Sequence, residues 1–415
     1  MTGQPGTTGG AEDDGPTTAP LHGHRVVEVS SFVAVPTAGL TLAQLGADVI
    51  RVDPPGGAAD INRWPLSAQG TSLFWTGLNK GKRSVTIDHR TPVGRELLLA
   101  LVTAPGECGG IYLDNMVGRH RLTYDDLLTR RPDAIHVHVE GRRNGAPAVD
   151  YTVNAEVGVP QMTGPEGTRG PVNHVLPAWD LLTGVTAATA VVTALVHRQR
   201  TGEGSLVDLA LADIALSGVG SMGWLAEAEG AGRARPKHGN HMFGSFGIDF
   251  ETSDGHRVMV VALTQRQWHA LRDVTETGPV FSALEQVLDA DLDSEGHRYR
   301  LRETIASVLR PWFLQRDFDT VRSMLDRAQV LWSPYLDMAQ TARRARLDEE
   351  SVAAEIEQPG VGPMLATGAP WRWNEHVRRP EPAPRLAEQT EQVMAEVLAL
   401  STVEIGRLRE QGVLG

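Results

Sequence analysis

The chain has 415 residues, of which 41% are hydrophobic and 22% charged, and its formal net charge is −12. That length exceeds one simple core and predicts two domains, and the negative balance argues against a nucleic-acid or anionic-membrane partner. The lone cysteine, Cys108, excludes an intrachain disulfide and a cysteine-based metal cluster. Residues 1–22, rich in Gly, Thr, Pro and acids, lack an apolar core and are expected to be a disordered tail and not a signal peptide. No apolar run is expected to be long enough and free enough of polar residues to span a bilayer, which points to a cytoplasmic protein.

In chain order, "RVVEVSSF", "PTAGLTLAQLG" and "ADVIRVDPP" read as strand, helix and strand, a βαβ unit of a parallel sheet. "RSVTIDHRTPVGRELLLALV" repeats the theme with a Thr-Pro helix start. "GGIYLDN" and "DAIHVHVEG" are further strands, the second after the helix "TYDDLLTRR". The fold class is therefore α/β: a Rossmann-like, doubly wound parallel sheet built first from residues 24–140. Residues 141–172 are dense in Gly and Pro and should be irregular around one short helix at "DYTVNAEVG". A helix over 181–199 ends in basic residues followed by glycine, the expected C-terminal signals. The strand "SLVDLAL" and a helix through residue 227 close a large domain over 23–228. Residues 229–245 read as a linker, and 246–335 as a smaller α+β domain opened by a β-hairpin with a Ser-Asp-Gly turn. Residues 336–415 return to complete the large domain.

The first strand–helix turn, "SSFVAVPTAG", lacks the glycine fingerprint of dinucleotide sites. Neither a phosphate-binding G-x-x-x-x-G-K loop nor a G-x-S-x-G elbow occurs. The "HVH" at 136–138 places two imidazoles on one strand face, read as packing in preference to a metal site. In "PAWDLLTG", Asp180 stands where a long apolar helix begins. From the residues alone two readings stand: a helix N-cap, or a nucleophile in a water-poor place.

The order of segments along the chain resembles the class III CoA-transferase family, which includes formyl-CoA and carnitine CoA-transferases and α-methylacyl-CoA racemase. The resemblance runs from about Arg25 to Gly415. It is carried by "LAQLGADVIRVDPPGG", "NKGKRSVTID", "LTYDDLLTRRPDAIHV", "LVHRQRTGEGSLVDLAL" and "FETSDG…QW". It implies an interlocked homodimer acting on an acyl-CoA and a small carboxylic acid, with CoA as a substrate and no permanently bound cofactor or metal. It makes Asp180 the catalytic aspartate, forming an acyl mixed anhydride and then an aspartyl-CoA thioester. It assigns CoA binding to Val33, Ala34, Leu78, Asn79, Lys82, Asn115, Met116, Arg119, Gly141 and Arg142, with Lys82, Arg119 and Arg142 facing phosphates. Gly244, Ser245 and Gly247 occupy the place of the family's active-site loop, or else form an interdomain turn.

Some positions depart from the family pattern. Val35 replaces a glycine in the first turn, "GRR" with Arg142 and Arg143 replaces "GfG", and Gln389 ends an "AEQ" where "GEH" is usual. The racemase branch is disfavoured, because Val149 and Gln265 stand where racemases carry His and Glu, and proton abstraction on two faces needs two bases. The leading expectation is an acyl-CoA:carboxylate CoA-transferase. The alternatives are a divergent acyl-CoA enzyme of the same family (isomerase, lyase or acyl transferase) and a catalytically silent CoA-binding dimer.

Overall fold

The structure, a computed structural model, describes residues 19–118 and 120–415. Residues 1–18 of the tail expected over 1–22, and Arg119, lie outside the described residues. Residues 19–22 are not part of a disordered tail but form a turn, with Leu21 buried in the core and its N–H donating to the Leu45 carbonyl at 2.9 Å. The chain divides into two compact units. One comprises the chain up to Val153, Leu176–Met222 and Ala345–Gly415, and the other Asn154–Val175 and Gly223–Arg344.

The first unit is a mixed α/β fold on a six-stranded parallel sheet: β1 (Arg25–Val29), β2 (Asp48–Asp53), β3 (Arg83–Thr86), β4 (Ile111–Asp114), β5 (Ile135–Glu140) and β6 (Ser205–Ala210), in the order β3-β2-β1-β4-β5-β6. Most of its strands are apolar on both faces, as a sheet covered on both sides requires. Up to residue 221 the helices are α1 (Ala34–Gln44), α2 (Leu73–Leu78), α3 (Pro92–Thr103), α4 (Tyr124–Leu128), α5 (Asp150–Glu156), α6 (Val159–Met162), α7 (Ala178–Thr201) and α8 (Leu211–Ser221), of which α6 and the end of α5 belong to the second unit. Two further helices of the first unit, Thr390–Leu398 and Thr402–Glu410, lie near the C-terminus. Val26, Val49 and Ile111 meet α1 and α7 on one face of the sheet. Val27, Ile50 and Tyr112 meet α3 and the C-terminal residues Val393, Met394 and Ile405 on the other. Gln389 docks that C-terminal segment on the sheet edge: its backbone N–H donates to the Ser84 carbonyl at 2.9 Å and its Oε1 accepts from Ser84 N at 2.8 Å. The edge strand β3 is thereby covered.

The second unit carries a three-stranded antiparallel sheet of β7 (Phe246–Glu251), β8 (Arg257–Ala262) and β9 (Leu331–Pro334) over an aromatic core in which Phe250 stacks on Phe313 at 4.3 Å. The expected hairpin is β7–β8. The strand β9 and the hairpin β10 (Ala353–Gln358) with β11 (Gly362–Thr367) were not expected from sequence. The helix expected to run through residue 227 stops at Ser221, because Gly223 takes the left-handed region at φ 74°. Residues 154–175 belong with the second unit. Gly239 N–H donates to the Gly164 carbonyl at 3.1 Å, and Lys237 donates to the Gly170 carbonyl at 2.5 Å.

By length and composition α7 is apolar enough to cross a membrane, against the expectation that no such run exists. Here one face of it is core: Ala187, Ala188, Val191, Ala194 and Leu195 are buried against the sheet and α1. Helix α7 lies close on α1 at Gly184, where a Cβ would lie 2.6 Å from both the Ala34 carbonyl oxygen and Thr37 Cβ. Gly184→Ala should therefore lower stability by about 1–2 kcal/mol, the overpacking penalty exceeding the helix-propensity gain of about 1 kcal/mol. Urea unfolding of the two proteins gives this difference directly.

Candidate active site around Asp180

Helix α7 begins at Ala178, with Pro177 at the N-cap and no side-chain cap of its own. Asp180 is the helix's third residue, so it is not the cap. That role falls to Asp150 at the start of α5, whose Oδ2 accepts from Trp179 N at 2.8 Å and Asp180 N at 3.0 Å. Asp150 is 2% exposed, and its Oδ1 has no hydrogen-bond partner among the described residues. The carboxyl of Asp180, half-buried, is pushed up to about 7, first by burial and then by the negative charge of Asp150, with Arg63 pulling the other way. A first-turn position would by itself favour the carboxylate through the helix dipole. Burial and the neighbouring acid outweigh that effect.

The strand order reverses between β1 and β4, and ligands of such sheets sit outside the strand ends at this point. Here Ser31 N donates to Asn115 Oδ1 at 3.1 Å and Asn115 Nδ2 donates to the Ser31 carbonyl at 3.0 Å, clipping the two strand ends together. Phe32 follows at φ 65°, its N–H held by Asp60 Oδ2 at 3.0 Å, and Val33 and Ala34 lead into α1. Val33, Ala34, Asn115 and Met116 thus gather at the switch point. Gly184 in α7 presses on the Ala34 carbonyl, so the first turns of α1 and α7, and with them Asp180, are neighbours. Val35, where the pattern has glycine, is fully buried in the core and does not face the turn's surface.

Behind Met116, whose N–H donates to Asp114 Oδ1 at 2.8 Å, lie the two histidines of "HVH". His136 Nε2 is 2.6 Å and His138 Nδ1 2.8 Å from the Asp114 carboxylate. Although burial opposes it, these imidazoles hold Asp114 below the ordinary carboxylate range. Among the described residues this is the one group with metal-ligand spacing. Arg121 Nη1 lies 2.6 Å from His138 Nε2, and since a guanidinium only donates, the His138 proton sits on Nδ1, where it is given to Asp114, so that nitrogen is not free for a metal.

The expectation for Lys82 needs correction. Its ammonium is fully buried, 2.8 Å from Glu28 Oε2, and donates also to the Pro36 carbonyl and Asn79 Oδ1. It is an internal ion pair and not a phosphate ligand on a surface. Gly39 of α1 makes room for it, since a Cβ there would collide with Glu28 Oε2. Asn79 is likewise internal, donating to the Trp75 carbonyl at 2.8 Å and accepting from Arg51 at 3.1 Å. Leu78 ends α2 half-buried. Gly141 follows β5 and packs on the Ala148 backbone, Arg142 beside it is half-buried, and Arg143 pairs with Asp213 at 2.7 Å. In the second unit Gly244 makes a turn at φ 84°, and Ser245 donates to the Ala262 carbonyl at 3.2 Å. Gly247 is a residue of strand β7, packed on Met242 and Val261.

Sequence reasoning missed Asp150 and Arg63, because no spacing rule links an acid to a helix start 30 residues on. Lys82→Ala would strand Glu28 in the interior and should cost about 3–5 kcal/mol of stability. Denaturant titration would show that loss, whereas a surface phosphate contact would leave stability unchanged and reduce only CoA affinity.

A family model described as CoA-transferase family III matches residues 21–390. The chain is 48% identical over 402 residues to a 2-methylfumaryl-CoA isomerase of Chloroflexus aurantiacus, covering 95% of this chain and 97% of that protein. It is 28% identical over 389 residues to a succinyl-CoA:mesaconate CoA-transferase of Haloarcula marismortui, covering 90% and 95%. In fold it is similar to the crystal structure of a CAIB/BAIF family protein from Brucella suis, at a TM-score of 0.74, 24% identity and coverage of 92% of this chain and 100% of that one. With the six-stranded sheet and its switch point, these likenesses establish that the chain belongs to CoA-transferase family III.

Proposed function

We propose that Asp180 is the nucleophile of an isomerase that moves CoA between the two carboxylates of an unsaturated, methyl-branched dicarboxylic acid. The observation that carries the reading is the Asp180 carboxyl itself: half-buried, fixed in the first turn of α7 by Asp150, and pushed up to about 7. A carboxylate of raised basicity is a better nucleophile, and near pH 7 it is still substantially ionised. The acyl group is suggested by the two relatives. One is named for 2-methylfumaryl-CoA, the other for mesaconate, and 2-methylfumarate and mesaconate are the same acid.

The steps balance at one carboxylate. Asp180 Oδ attacks the thioester carbonyl and CoA leaves as thiolate, giving a mixed anhydride. The thiolate attacks the aspartyl carbonyl of that anhydride, forming aspartyl-CoA thioester and freeing the substrate's first carboxylate. The substrate's second carboxylate attacks the aspartyl thioester and expels thiolate, making a new anhydride at the other end. Thiolate attack on the substrate carbonyl of this anhydride yields the isomeric thioester and restores Asp180. An exchange between different acids runs through the same four steps. It differs only in releasing the acid midway.

Incubation of 2-methylfumaryl-CoA with ¹³C-labelled free 2-methylfumarate separates these courses. An isomerase forms the 3-methylfumaryl thioester with an unlabelled acyl pool, whereas exchange between molecules labels it. Neither isomer nor label would overturn the reading. Asp180→Asn should abolish turnover by on the order of 10³-fold or more. In the wild type, turnover should rise with pH to a plateau above about 7. Stability should move oppositely. The folded state holds a proton that the unfolded chain, at its ordinary value of 3.8, has released, so stability falls as pH rises from about 4 to 7. Asp180→Asn should lack that fall, which melting curves across this range would detect.

We also propose that the chain works as the interlocked homodimer implied by its resemblance to the family. In its support, Leu182, Val185 and Val196 of α7 and Leu216 of α8 are exposed in the single chain. Sedimentation at micromolar concentration should give a dimer, and a folded monomer there would overturn this.

A further inference from the structure

Arg63 belongs to neither the catalytic residue nor any expected CoA contact, yet its backbone and side chain are held from several sides. Its N–H donates to the Asp60 carbonyl at 3.0 Å, and its own carbonyl accepts from Ser72 Oγ at 2.5 Å. Asp60 is itself fixed by the buried guanidinium of Arg51 at 3.1 Å. The Arg63 guanidinium lies over two rings, 5.5 Å from Phe32 and 5.1 Å from Phe74. Among the described residues no carboxylate forms an ion pair with it. Phe32 is two residues before Ala34, whose carbonyl α7 meets at Gly184, one helical turn beyond Asp180. The guanidinium is therefore exposed, pre-oriented and on the side of the switch point where Asp180 stands.

We infer that Arg63 is a specificity residue that binds the free carboxylate of a dicarboxylyl-CoA, its guanidinium held over the rings of Phe32 and Phe74. A planar fork of donors matches a carboxylate's two oxygens, and stacking on rings leaves its edge free to donate. Among the charged groups of the described residues, Asp150 and Arg63 are the ones that act on the Asp180 carboxyl, Arg63 as the cation that lowers its proton affinity. A substrate carboxylate bound there would share this cation with the reacting centre. The inference rests on the reading of Asp180 as the group that meets the thioester.

Binding in the Asp180→Asn background tests it without turnover, using succinyl-CoA and butyryl-CoA, which differ in a terminal carboxylate against a methyl group. Titration calorimetry should show succinyl-CoA bound more tightly by roughly 10- to 100-fold, the range of a charge-assisted hydrogen bond. Arg63→Gln should level the two thioesters, and Arg63→Lys should keep part of the preference, with free CoA affinity unchanged in both. A preference that survives Arg63→Gln, or is missing in the Asp180→Asn parent, overturns the inference. So does an equal loss of free CoA binding, which would make Arg63 a nucleotide contact. Failure of the wild type to isomerise 2-methylfumaryl-CoA, with the succinyl preference intact and dependent on Arg63, would remove the proposed reaction and leave this subsite standing.

Discussion

The arrangement at the start of α7 depends on one interaction, the capture of two backbone N–H groups by the Asp150 carboxylate. A helix beginning at Pro-Ala-Trp has no side chain of its own to satisfy its first donors. Asp150 supplies the acceptor from a separate helix, so the first turn of α7 is fixed in place by tertiary structure. The same contact brings a negative charge to the amide of Asp180. A cap and a perturbing charge are thus one group, and substituting it would move both the geometry and the proton affinity of the neighbouring acid.

Around this point the fold concentrates close approaches that only particular residues permit. Gly184 lets α7 lie against the first turn of α1, and Gly218 leaves room for the Trp179 ring at 3.3 Å from where its Cβ would be. Beneath α1, Gly39 admits the buried Glu28–Lys82 pair. A second buried set, Arg51 with Asp53 and Asp60, reaches the other side of the same turn and holds the Phe32 N–H. Ion pairs of this kind add little net stability, but removing one partner is costly. Here they fix the path of the chain between β1 and α1, where Phe32 sits in a conformation unfavourable for a side-chain-bearing residue.

Much of this could be read from the sequence, and the part that could not has a common cause. The parallel strands, the helix starts at Thr91 and Thr123 and the Ser-Asp-Gly hairpin announce themselves through local pattern, and the structure has them. The strand at 331–334 and the hairpin at 353–367 are short and half-exposed, so their alternation is too weak to stand out. The family resemblance places Lys82 at phosphate by its position in the motif, which carries no information on what surrounds it in this chain. Its partner Glu28 lies 54 residues earlier, inside "RVVEVSSF", and nothing local marks it as an acid that must be neutralised. Arg63, Asp150 and Asp180 are likewise far apart in sequence, and only the fold makes them neighbours.

The balance at Asp180 bears on why one family can hold both exchange between molecules and isomerisation. Attack on a thioester and attack on an anhydride place the same demand on the carboxylate, which must be basic enough to react and still ionised near neutrality. Burial and Asp150 raise its proton affinity, and Arg63 limits the rise. None of these groups distinguishes an acid that leaves from one that stays. That difference has to come from whatever holds the substrate's other end while the thiolate is on the enzyme. In the proposed reaction the liberated dicarboxylate carries two negative charges and must turn before its second carboxylate can attack. A fixed cation able to hold one carboxylate while the other reacts, and then to accept the other in its place, would favour retention over release. Arg63 is of the right charge and geometry for that exchange, and its rigidity follows from Asp60, Ser72 and the two rings and not from any contact with Asp180 itself.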